Sequence, residues 1–387
     1  MKTAIIGTGG FAQCFIPLFK AHPLVSQLAI ADLDSTKLDE NRSKHGVDEI
    51  YSSLDEALES DVDAIALFTQ NWMHGPQAVA ALKAGKHVYS AVPTAVSVEE
   101  VEALVRTVEE TGKIYMIGET SYYYPGAIYC RQQAASGAFG KVAYSEGEYF
   151  HDWDHGLYEV MKTRAGNRWR EEGGMPPMHY PTHSTGGIVS ILNSFATHVS
   201  CQGFVDDHQD GIYAPGANTY GNRFSNQSAL FLMADGSIVR VNEFRRIGHP
   251  SVERMSMFGT DGCFQNTLAG QIWTDKDGFT RLDEMLTCGR LEASGLTYEE
   301  MAPIHDVSRL PKEFGGLPNG HQGSHQFLVD DFVRAVVAEQ HPPNDVWQAA
   351  RYLVPGLVAH QSAVRGGELL PVPDFGVCPN KRDRITP

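Results

Sequence analysis

The feature that most constrains this chain is an apolar run at its start that leads directly into a glycine-rich turn. Lys2–Ile6 is followed by Gly-x-Gly-x-x-Ala, which predicts a strand, a tight turn and a helix that begins near Phe11. The first glycine makes the turn, the second lets the backbone approach a pyrophosphate, and the alanine lets the helix pack on the strand. Because a helix N-terminus favours an anion, we expect a dinucleotide here, bound by Gly7, Gly9, Gly10, Phe11 and Ala12.

A carboxylate follows the second apolar run. Leu28–Ala31 ends at Asp32, which lies about 20 residues past the glycines, as expected for an acid that binds the adenosine ribose. Such a carboxylate accepts a hydrogen bond from a ribose 2′-OH and repels a 2′-phosphate, so we expect NAD rather than NADP. Asp34 is a weaker candidate for the same role. The alternative is an ordinary glycine turn, which the preceding strand and the following acid both disfavour.

Composition excludes several classes of protein. The length of 387 residues suits two domains, and the formal charge of -16 argues against binding to nucleic acid or to an anionic membrane surface. No apolar run approaches the length of a membrane span. The cysteines are scattered and form no Cys-x-x-Cys pair, which indicates reduced thiols. Because Lys2–Ile6 is already a predicted strand, we expect no signal peptide and a cytoplasmic location.

Short apolar runs alternate with helical patterns through residues 1–122. Such alternation predicts an α/β fold, here a doubly wound, parallel Rossmann sheet that binds ligands beyond the carboxyl ends of its strands. The further strands predicted in this domain are Asp63–Thr69, Lys86–Ala91 and Lys113–Gly118. The predicted helices are Gly75–Ala84 and Val98–Thr111.

The pattern changes after Tyr124-Pro125, and we assign residues 123–387 to a substrate-binding and oligomerisation domain. Asp235-Gly236 between two alternating runs predicts a hairpin. We expect an α+β domain with a large, mostly antiparallel open sheet, two closing helices within 323–365 that pack back between the domains, and irregular loops at 203–222 and 286–322. The predicted elements are the helix Ala127–Ser136, the strands Lys141–Phe150, Ser228–Ala234, Ser237–Phe244 and Arg254–Gly259, and the closing helices Gly323–Glu339 and Asp345–Arg365.

Two further clusters carry candidate chemistry. The first is a basic run, whose positively charged side chains suit a carboxylate, sulfonate or phosphate. We therefore predict that it recognises an anionic sugar. The alternative is a solvated segment without a ligand. The members of the basic run are Lys162, Arg164, Arg168 and Arg170. The histidine pairs 151/155 and 179/183 have the i, i+4 spacing of many metal ligands. Pro181 disfavours a regular helix around the second pair, and we predict no metal.

The chain resembles the glucose-fructose oxidoreductase/inositol dehydrogenase (Gfo/Idh/MocA) family of NAD(P)-dependent sugar enzymes. Thr69-x-Asn71-x-x-His74 resembles the family's third-strand motif, and Gly85-Lys86-His87-Val88 resembles the run before its Glu-Lys-Pro motif. Gly366-Gly367 and Pro371-Val372-Pro373 resemble its C-terminal strand. The resemblance implies a homodimer or homotetramer and implies cofactor contacts from Thr69, Asn71, His74, Val92 and Pro93.

Two departures from the family pattern bear on the reaction. Ala91-Val92-Pro93 stands where most members have Glu-Lys-Pro, so the lysine that helps to orient nicotinamide and substrate is absent. His179 replaces the aspartate of the family's Gly-Gly-Gly-x-x-x-Asp-x-Gly-x-His motif, whereas the motif's histidine falls at His183. An ordinary dehydrogenase built on the Lys/Asp/His set is therefore disfavoured.

At both departures the sequence is similar to that of the NAD-dependent glycosidases of glycoside hydrolase family 109. Their reaction resembles that of the NAD-dependent sulfoquinovosidases. The match lies in Val92-Pro93-Thr94-Ala95 and Tyr180-Pro181-Thr182-His183. Ala91 departs from this branch as well, because the branch usually keeps a glutamate there. Further similarities are Glu119 with Tyr123, His151-Asp152, Trp169-Arg170 and Gly320-His321. We predict substrate contacts from the basic run, with Arg170 best placed, and from Glu119, His151, Asp152 and His179.

The resemblance implies a reaction without net oxidation. Hydride leaves sugar C3 for NAD, the C2 proton becomes acidic, the C1 substituent is eliminated, water adds, and the hydride returns. His183 is our candidate for the base at the 3-OH because imidazole titrates near neutrality; a satisfied histidine in a loop is the alternative. Tyr180 and Tyr123 are candidates for the remaining proton transfers, provided that a nearby positive charge lowers the tyrosine pKa.

We therefore predict an NAD-dependent, redox-neutral glycosidase that acts on a small glycoside such as an N-acetyl or sulfo sugar. An NAD-dependent sugar or polyol dehydrogenase, which would release NADH, is one alternative, and a sugar-binding pseudoenzyme is another. The missing Glu-Lys pair at Ala91-Val92 favours the glycosidase and the pseudoenzyme over the dehydrogenase. Tyr180 beside His183 favours the glycosidase over the pseudoenzyme.

Overall fold

The computed structural model of the protein describes residues 1–47, 49–293, 296–379 and 385. The chain divides into two compact units. The first comprises Met1–Tyr124, Thr287–Ala350 and Phe375–Pro387, and the second comprises Pro125–Leu286 and Arg351–Asp374. Residues 287–350, which the sequence analysis assigned to the second domain, thus belong to the first unit. The functional division at 122/123 and the placement of residues 323–365 between domains stay predictions.

The first unit contains a six-stranded, wholly parallel sheet with the strand order β3-β2-β1-β4-β5-β6. The strand order switches between β1 and β4. Doubly wound sheets bind their ligands at this switch point. The strands are β1 (Lys2–Ile6), β2 (Gln27–Ala31), β3 (Glu49–Tyr51), β4 (Ala64–Leu67), β5 (His87–Ser90) and β6 (Tyr115–Ile117). The helices are α1 (Ile16–Ala21), α2 (Ser35–His45), α3 (Leu54–Glu59), α4 (His74–Lys83) and α5 (Val98–Thr111).

The first helix begins later than predicted. Phe11 has helical torsion angles, but the chain first makes a 3₁₀ turn over Ala12–Cys14, and α1 starts only at Ile16. The reason is Pro17, which lacks the N–H needed to donate to a carbonyl one turn earlier and therefore occupies the first turn of α1. The pyrophosphate-binding prediction thus concerns a tight turn followed by a short helix.

The second unit is built on a nine-stranded sheet with the order β14-β13-β12-β11-β7-β10-β9-β8-β17. All neighbours are antiparallel except the central pair, β7 and β10. Its helices are α6 (Pro125–Ser136), α7 (Leu157–Ala165), α8 (Trp169–Gly173), α9 (Thr182–Leu192) and α10 (Asp283–Leu286). Its strands, apart from β17, are β7 (Val142–Phe150), β8 (Ala196–Val205), β9 (Phe224–Met233), β10 (Ile238–Phe244), β11 (Val252–Gly259), β12 (Gly262–Thr267), β13 (Gly270–Asp275) and β14 (Gly278–Arg281). The predicted fold class is confirmed for both halves.

The last part of the chain returns to the first unit and then to the second. The predicted loop at 286–322 contains two short antiparallel strands, β15 and β16. The predicted loop at 203–222 is wrong for residues 203–205, which end β8, whereas residues 206–222 hold no helix or strand. Helix α11 covers the parallel sheet of the first unit, because the Phe332 ring lies 6.2 Å from that of Phe19 and 5.7 Å from that of Tyr89. The elements are β15 (Arg290–Ala293), β16 (Leu296–Glu299), α11 (His325–Ala338), α12 (Val346–Val364) and β17 (Leu370–Pro371).

Helix α9 lies on the central strand of the second sheet at closer range than a side chain would allow. A Cβ on Gly147 of β7 would lie 2.0 Å from the carbonyl oxygen of Ser184 and 3.2 Å from Cδ1 of Ile188. Real Cβ contacts to backbone atoms are not this short, so only glycine lets the first turn of α9 rest on β7. This contact fixes the height of α9, and of the side chains in its first turn, above the sheet.

We predict that Gly147→Ala destabilises the second unit. The backbone of α9 must shift to admit the methyl group, which costs about 1–3 kcal/mol or more and lowers the thermal midpoint by roughly 2–10 °C. The measurement is thermal unfolding of the protein without added NAD. Gly10→Ala is the control, because a Cβ there meets no atom within 4 Å and should leave the midpoint unchanged. Equal midpoints for the Gly147 variant and the wild type would contradict the packing described here.

Candidate functional site

The predicted dinucleotide turn has the backbone geometry that a close approach requires. Gly7 has φ +87°, and a Cβ there would lie 2.8 Å from the carbonyl oxygen of Phe68 on the neighbouring strand segment. A side chain is therefore excluded both by the torsion angle and by the space. At Gly9 and Gly10, in contrast, a Cβ would meet no protein atom within 4 Å. The backbone of the turn is thus open on the side where a pyrophosphate would bind, and the residues fit a dinucleotide.

Asp32 lies at the carboxyl end of β2 and is already oriented by the turn. The N–H and the hydroxyl of Thr8 each donate to its Oδ2 at 2.8 Å, and the N–H of Asp34 donates to its Oδ1 at 3.0 Å. Burial alone would raise the pKa of Asp32, but these hydrogen bonds outweigh it and hold the pKa below its ordinary value. The side chain is therefore ionised at neutral pH, as the predicted ribose contact requires. Asp34 instead caps α2, where it accepts hydrogen bonds from the N–H groups of residues 36 and 37.

His74 connects two loops at the carboxyl ends of neighbouring strands. Its Nδ1 lies 2.8 Å from the carbonyl oxygen of Pro93, and its Nε2 lies 3.1 Å from that of Thr69. The ring is buried, so it acts as a brace between the β4 loop and the β5 loop. Two of the predicted cofactor residues, Thr69 and Pro93, are thus held in place by a third.

The other predicted cofactor residues of these loops differ in exposure. Asn71 begins the 3₁₀ turn Asn71–Met73 and is partly exposed, and its Oδ1 accepts the N–H of Trp72 at 3.1 Å. Val92 is buried, and the Val92–Pro93 peptide bond is cis. Thr69 donates its hydroxyl to the side-chain oxygen of Gln77 at 2.5 Å. The loops are therefore ordered by their own hydrogen bonds.

Glu119 and Tyr123 follow β6 in the first unit, and both are buried. Glu119 caps the 3₁₀ turn Thr120–Tyr123 by accepting the N–H of Ser121 at 2.8 Å. The Tyr123 hydroxyl donates to Asp331 in a very short hydrogen bond and accepts from Arg309 at 3.0 Å. Burial raises the pKa of Tyr123 well above its ordinary value, the Asp331 carboxylate raises it further, and Arg309 opposes both only in part. This setting does not support a role as a base.

The second unit brings a set of tyrosines and histidines onto one face of its sheet. Tyr149 on β7 is paired in register with Glu243 of β10 on one side and with Glu253 of β11 on the other, so the three side chains point to the same face. The rings of Tyr180 and His183 lie 6.0 Å and 5.2 Å from that of Tyr149, and 5.4 Å from each other. We call Tyr149, His151, Tyr180 and His183 the tyrosine–histidine cluster.

His183 occupies the first turn of α9, so it is a helix residue and not a loop residue. Pro181 is the N-cap of that helix and not an interruption of it. The side chain of His183 is only 5% exposed, and its Nδ1 lies 3.9 Å from Oε2 of Glu253. A carboxylate at this distance stabilises a positively charged imidazole, which is what a base becomes after it has taken a proton.

Tyr149 is a candidate that the sequence analysis missed. Its hydroxyl lies 2.8 Å from Nδ1 of His151, and burial raises its pKa far above the ordinary tyrosine value. Burial also lowers the pKa of His151 to about 3, with smaller contributions from Arg245 and Arg164. At neutral pH the tyrosine therefore keeps its proton, and the imidazole that shares a hydrogen bond with it is neutral. The i, i+2 spacing of Tyr149 and His151 at the end of a predicted strand was the only available signal.

Glu243 lies beneath the first turn of α9. Its Oε1 accepts the hydroxyl of Ser184 at 2.5 Å, and its Oε2 accepts from Arg245 at 3.0 Å. Burial raises the pKa of Glu243 to about 8, although Arg245 and Ser184 oppose the increase. The carboxyl group thus anchors Ser184, the residue next to His183, to the sheet.

Asp152 and His179, which were predicted to contact the substrate, differ in their surroundings. Asp152 accepts the N–H groups of Ile247 and Gly248 at 2.7 and 3.1 Å and pairs with His155 at 2.9 Å, so its oxygens organise the local backbone. His179 packs edge-on against His360 at 5.1 Å, and burial, with His360, lowers its pKa to about 3. His179 therefore contributes a neutral ring and does not replace the charge of an aspartate.

The four side chains of the basic run are exposed, but they differ in the groups with which they interact. Lys162 pairs with Glu159 at 2.7 Å, and Arg168 pairs with Glu171 and Glu172. The Arg170 guanidinium stacks on the Trp169 ring at 4.4 Å. Arg164 is the member whose charge lowers the pKa of both Tyr149 and His151, so it is electrostatically closest to the tyrosine–histidine cluster.

The described part of the chain has neither a cluster of metal ligands nor a helix that could span a membrane. Across residues 1–47, 49–293, 296–379 and 385, no three or more His, Cys, Asp or Glu side chains group in a way that would hold a metal ion. Within those same ranges, no helix has the length and apolar character needed to cross a membrane.

Comparisons with known proteins agree with the Rossmann fold described for the first unit. Residues 1–119 match the oxidoreductase family with an NAD-binding Rossmann fold. A glycosyl hydrolase family 109 protein from Streptomyces filamentosus is 25% identical and aligns with 97% of this chain and 77% of its own length. An alpha-N-acetylgalactosaminidase from Bacteroides fragilis is 36% identical over 34% of this chain and 32% of its own.

Solved structures show the same fold. Levoglucosan dehydrogenase in complex with NADH and levoglucosan superposes with a TM-score of 0.75 at 16% identity, over 96% of this chain and 99% of the other. The myo-inositol 2-dehydrogenase from Lactobacillus plantarum gives a TM-score of 0.71 at 18% identity, over 96% and 99%. At these identities the likeness concerns the fold alone.

The N-terminal match shows that residues 1–119 form a Rossmann domain with NAD as its cofactor, and the solved structures share the fold of nearly the whole chain. The alignment with a glycosyl hydrolase family 109 protein over 97% of this chain, at 25% identity, agrees with the resemblance to that family. The predicted resemblance and the predicted cofactor are thus confirmed, whereas the roles of the individual site residues stay predictions.

We predict that Asp32→Ala weakens NAD binding by roughly ten- to hundredfold, because a hydrogen bond to a charged group contributes about 1.5–3 kcal/mol. The same change should relax discrimination against NADP, since the charge that repels a 2′-phosphate is removed. Titration calorimetry with NAD and NADP measures both effects. Asp34→Ser is the matched control, because it keeps the cap of α2 and should leave the NAD/NADP ratio unchanged. An unaltered ratio in the Asp32 variant would disprove the ribose contact.

Proposed function

We propose that the protein is an NAD-dependent glycosidase that cleaves a small glycoside without net oxidation. The observation that carries the proposal is the tyrosine–histidine cluster, which collects four proton-transfer side chains on one face of the second sheet. A single alcohol oxidation needs one base, whereas elimination and water addition need further proton donors and acceptors. Bound NAD supplies a reversible acceptor for the hydride of a sugar carbon.

The residues of the cluster suit different proton transfers. His183 takes the proton of the sugar 3-OH, and Glu253, at 3.9 Å, stabilises the imidazolium that results. Tyr149 keeps its proton at neutral pH because its pKa is raised, so it serves the leaving group as a hydrogen-bond donor and not as a base. The neutral imidazole of His151 holds the Tyr149 hydroxyl in place at 2.8 Å. The Tyr180 ring lies 6.0 Å from that of Tyr149 and 5.4 Å from that of His183, and Tyr180 serves the proton transfer at C2.

A sugar dehydrogenase is the second candidate function. His183 with Glu253 is sufficient for one alcohol oxidation, and such an enzyme would release NADH in proportion to product. The Tyr149–His151 pair then has no chemical task, which is why we prefer the glycosidase.

We further propose that the substrate carries negative charge and that Arg164 recognises it. The charge of Arg164 lowers the pKa of both Tyr149 and His151, so among the basic run it is the member that acts on the tyrosine–histidine cluster. An N-acetylated neutral sugar is the alternative that the family 109 relatives suggest. Comparing neutral and sulfonated glycosides as substrates separates the two.

A homo-oligomer is also proposed. Alternate side chains of β9 and β10 point away from α9 and are substantially exposed, with Leu230 at 47%, Leu232 at 38% and Ile238 at 39%. Apolar side chains in adjacent rows of a sheet are typical of a surface that a second subunit covers. A second copy of this chain would form a symmetric dimer of the commonest kind.

The experiment that tests the function follows two products in one cuvette. Purified protein with NAD is mixed with 4-nitrophenyl glycosides, including N-acetylated and sulfonated sugars, and nitrophenol release and NADH absorbance are recorded together. We expect nitrophenol without accumulating NADH, and we expect the release to depend on added or bound NAD. NADH in proportion to substrate, without nitrophenol, would establish the dehydrogenase instead. No change in either signal, with dinucleotide bound, would favour the pseudoenzyme.

We predict that His183→Ala lowers turnover by about 10²–10⁴-fold, the usual contribution of a general base. Affinity for NAD should not change, because His183 belongs to the second unit and the dinucleotide turn to the first. Initial rates and calorimetric titration give the two values. His198→Ala is the control, since His198 is exposed on β8 of the same unit. A variant that loses NAD binding along with activity would show that His183 has a structural role.

A further inference from the structure

Two histidines of the first unit are held against the dinucleotide turn, and none of the steps above uses them. The rings of His321 and His325 lie 5.5 Å and 5.6 Å from the ring of Phe11, which directly follows Gly10 in the turn. Both contacts are edge-to-face, with interplanar angles of 81° and 88°. Nδ1 of His321 lies 2.9 Å from Nε2 of His325, so the two rings form a hydrogen-bonded pair beside the turn.

The backbone that carries the pair is strained. His321 and Gln322 have φ of +48° and +54°, in the left-handed region that non-glycine residues rarely adopt. Such torsion angles are energetically unfavourable for residues with a side chain, and strain of this kind concentrates at binding sites. A strained turn persists only where its surroundings hold it.

Asn319 and Gly320 hold this turn. The Oδ1 of Asn319 accepts the N–H groups of Gly320 and His325, each at 3.1 Å, and its amide donates to the carbonyl of Gly323 at 3.1 Å. A Cβ on Gly320 would lie 2.9 Å from Cε1 of His325. The segment is therefore constructed so that it places the two imidazoles.

The chemistry of the pair determines which nitrogen of His321 carries a hydrogen. His325 is fully buried, and burial, with His321 beside it, lowers its pKa well below the ordinary value, so it is neutral. Its Nδ1 has no hydrogen-bond partner. A buried N–H without an acceptor is rarer than a buried acceptor without a donor, so the hydrogen of His325 lies on Nε2 and is donated to Nδ1 of His321. The hydrogen of a neutral His321 then lies on its Nε2, which points away from the pair.

We propose that His321 belongs to the dinucleotide site and that its Nε2–H donates to a phosphate oxygen of the bound pyrophosphate, with His325 as the positioning residue that fixes its tautomer. Phe11 joins the pair to the turn, and at Gly9 and Gly10 the backbone is open to a ligand. His321 is partly exposed, whereas His325 is buried, as a ligand contact and its support require. The proposal deepens the proposed function, because it rests on NAD as the cofactor.

The test compares His321→Leu with His321→Gln. Both replacements bear the same strained torsion angle, but only glutamine retains an N–H near the position of Nε2. Calorimetric titration with NAD, ADP-ribose and AMP measures affinity without relying on turnover. We expect the leucine variant to bind NAD and ADP-ribose at least tenfold more weakly, with AMP little affected, and the glutamine variant to retain most of the affinity.

The outcomes distinguish the proposals. Equal affinity of wild type and leucine variant for NAD would overturn the contact. A loss confined to NAD, with ADP-ribose unaffected, would overturn the phosphate assignment and place His321 at the nicotinamide end. Wild-type protein that binds no dinucleotide at all would instead overturn the proposed function.

The role of His325 has its own test. His325→Phe keeps an aromatic ring against Phe11 and Phe15 but removes the hydrogen bond to His321. We expect it to weaken ADP-ribose binding in a background with His321 and to have no further effect in the His321→Leu background. Additive losses in the double variant would mean that His325 acts only through packing.

Discussion

The contact between the carbonyl of Ser184 and the bare Cα of Gly147 is the constraint on which the second unit depends. It brings the first turn of α9 down onto the central strand of the sheet. Glu243, in the neighbouring strand, then anchors the same turn through the Ser184 hydroxyl. One glycine and one buried carboxyl group thus decide where the imidazole of His183 lies relative to the Tyr149 ring, and proton-transfer groups tolerate little displacement.

Local signals predicted the elements of this protein well, and the reason is visible at their ends. Helix α5 matches its prediction to the residue, because Ser97 accepts the N–H of Glu100 at the start and Gly112 takes the left-handed conformation after the end. The first helix was misplaced because the glycine motif was given more weight than Pro17. Residues 287–350 were assigned to the second domain because sequence order does not reveal that α11 packs on the first sheet.

The candidate site was only partly predictable for a related reason. His183 and Tyr180 stand in a recognisable motif, so they were found. Tyr149 was not, because its importance comes from the register of β7 with β10 and β11, which pairs it with acids far away in the chain. The electrostatic character of each group also depends on burial: the pKa of His151 falls to about 3, and that of Glu243 rises to about 8. Neither pKa can be predicted from the residue type alone.

The discontinuous make-up of the first unit has a consequence for how the protein is synthesised. The aromatic rings of Phe15 and Phe19 at α1 and of Tyr89 on β5 are covered by His325 and Phe332 of α11. A ribosome-bound chain that has emerged only as far as residue 286 therefore exposes this apolar surface, although every strand of its sheet is present. Folding of the Rossmann unit during translation must wait for nearly the whole chain, and the nascent N-terminal segment is a natural client for chaperones.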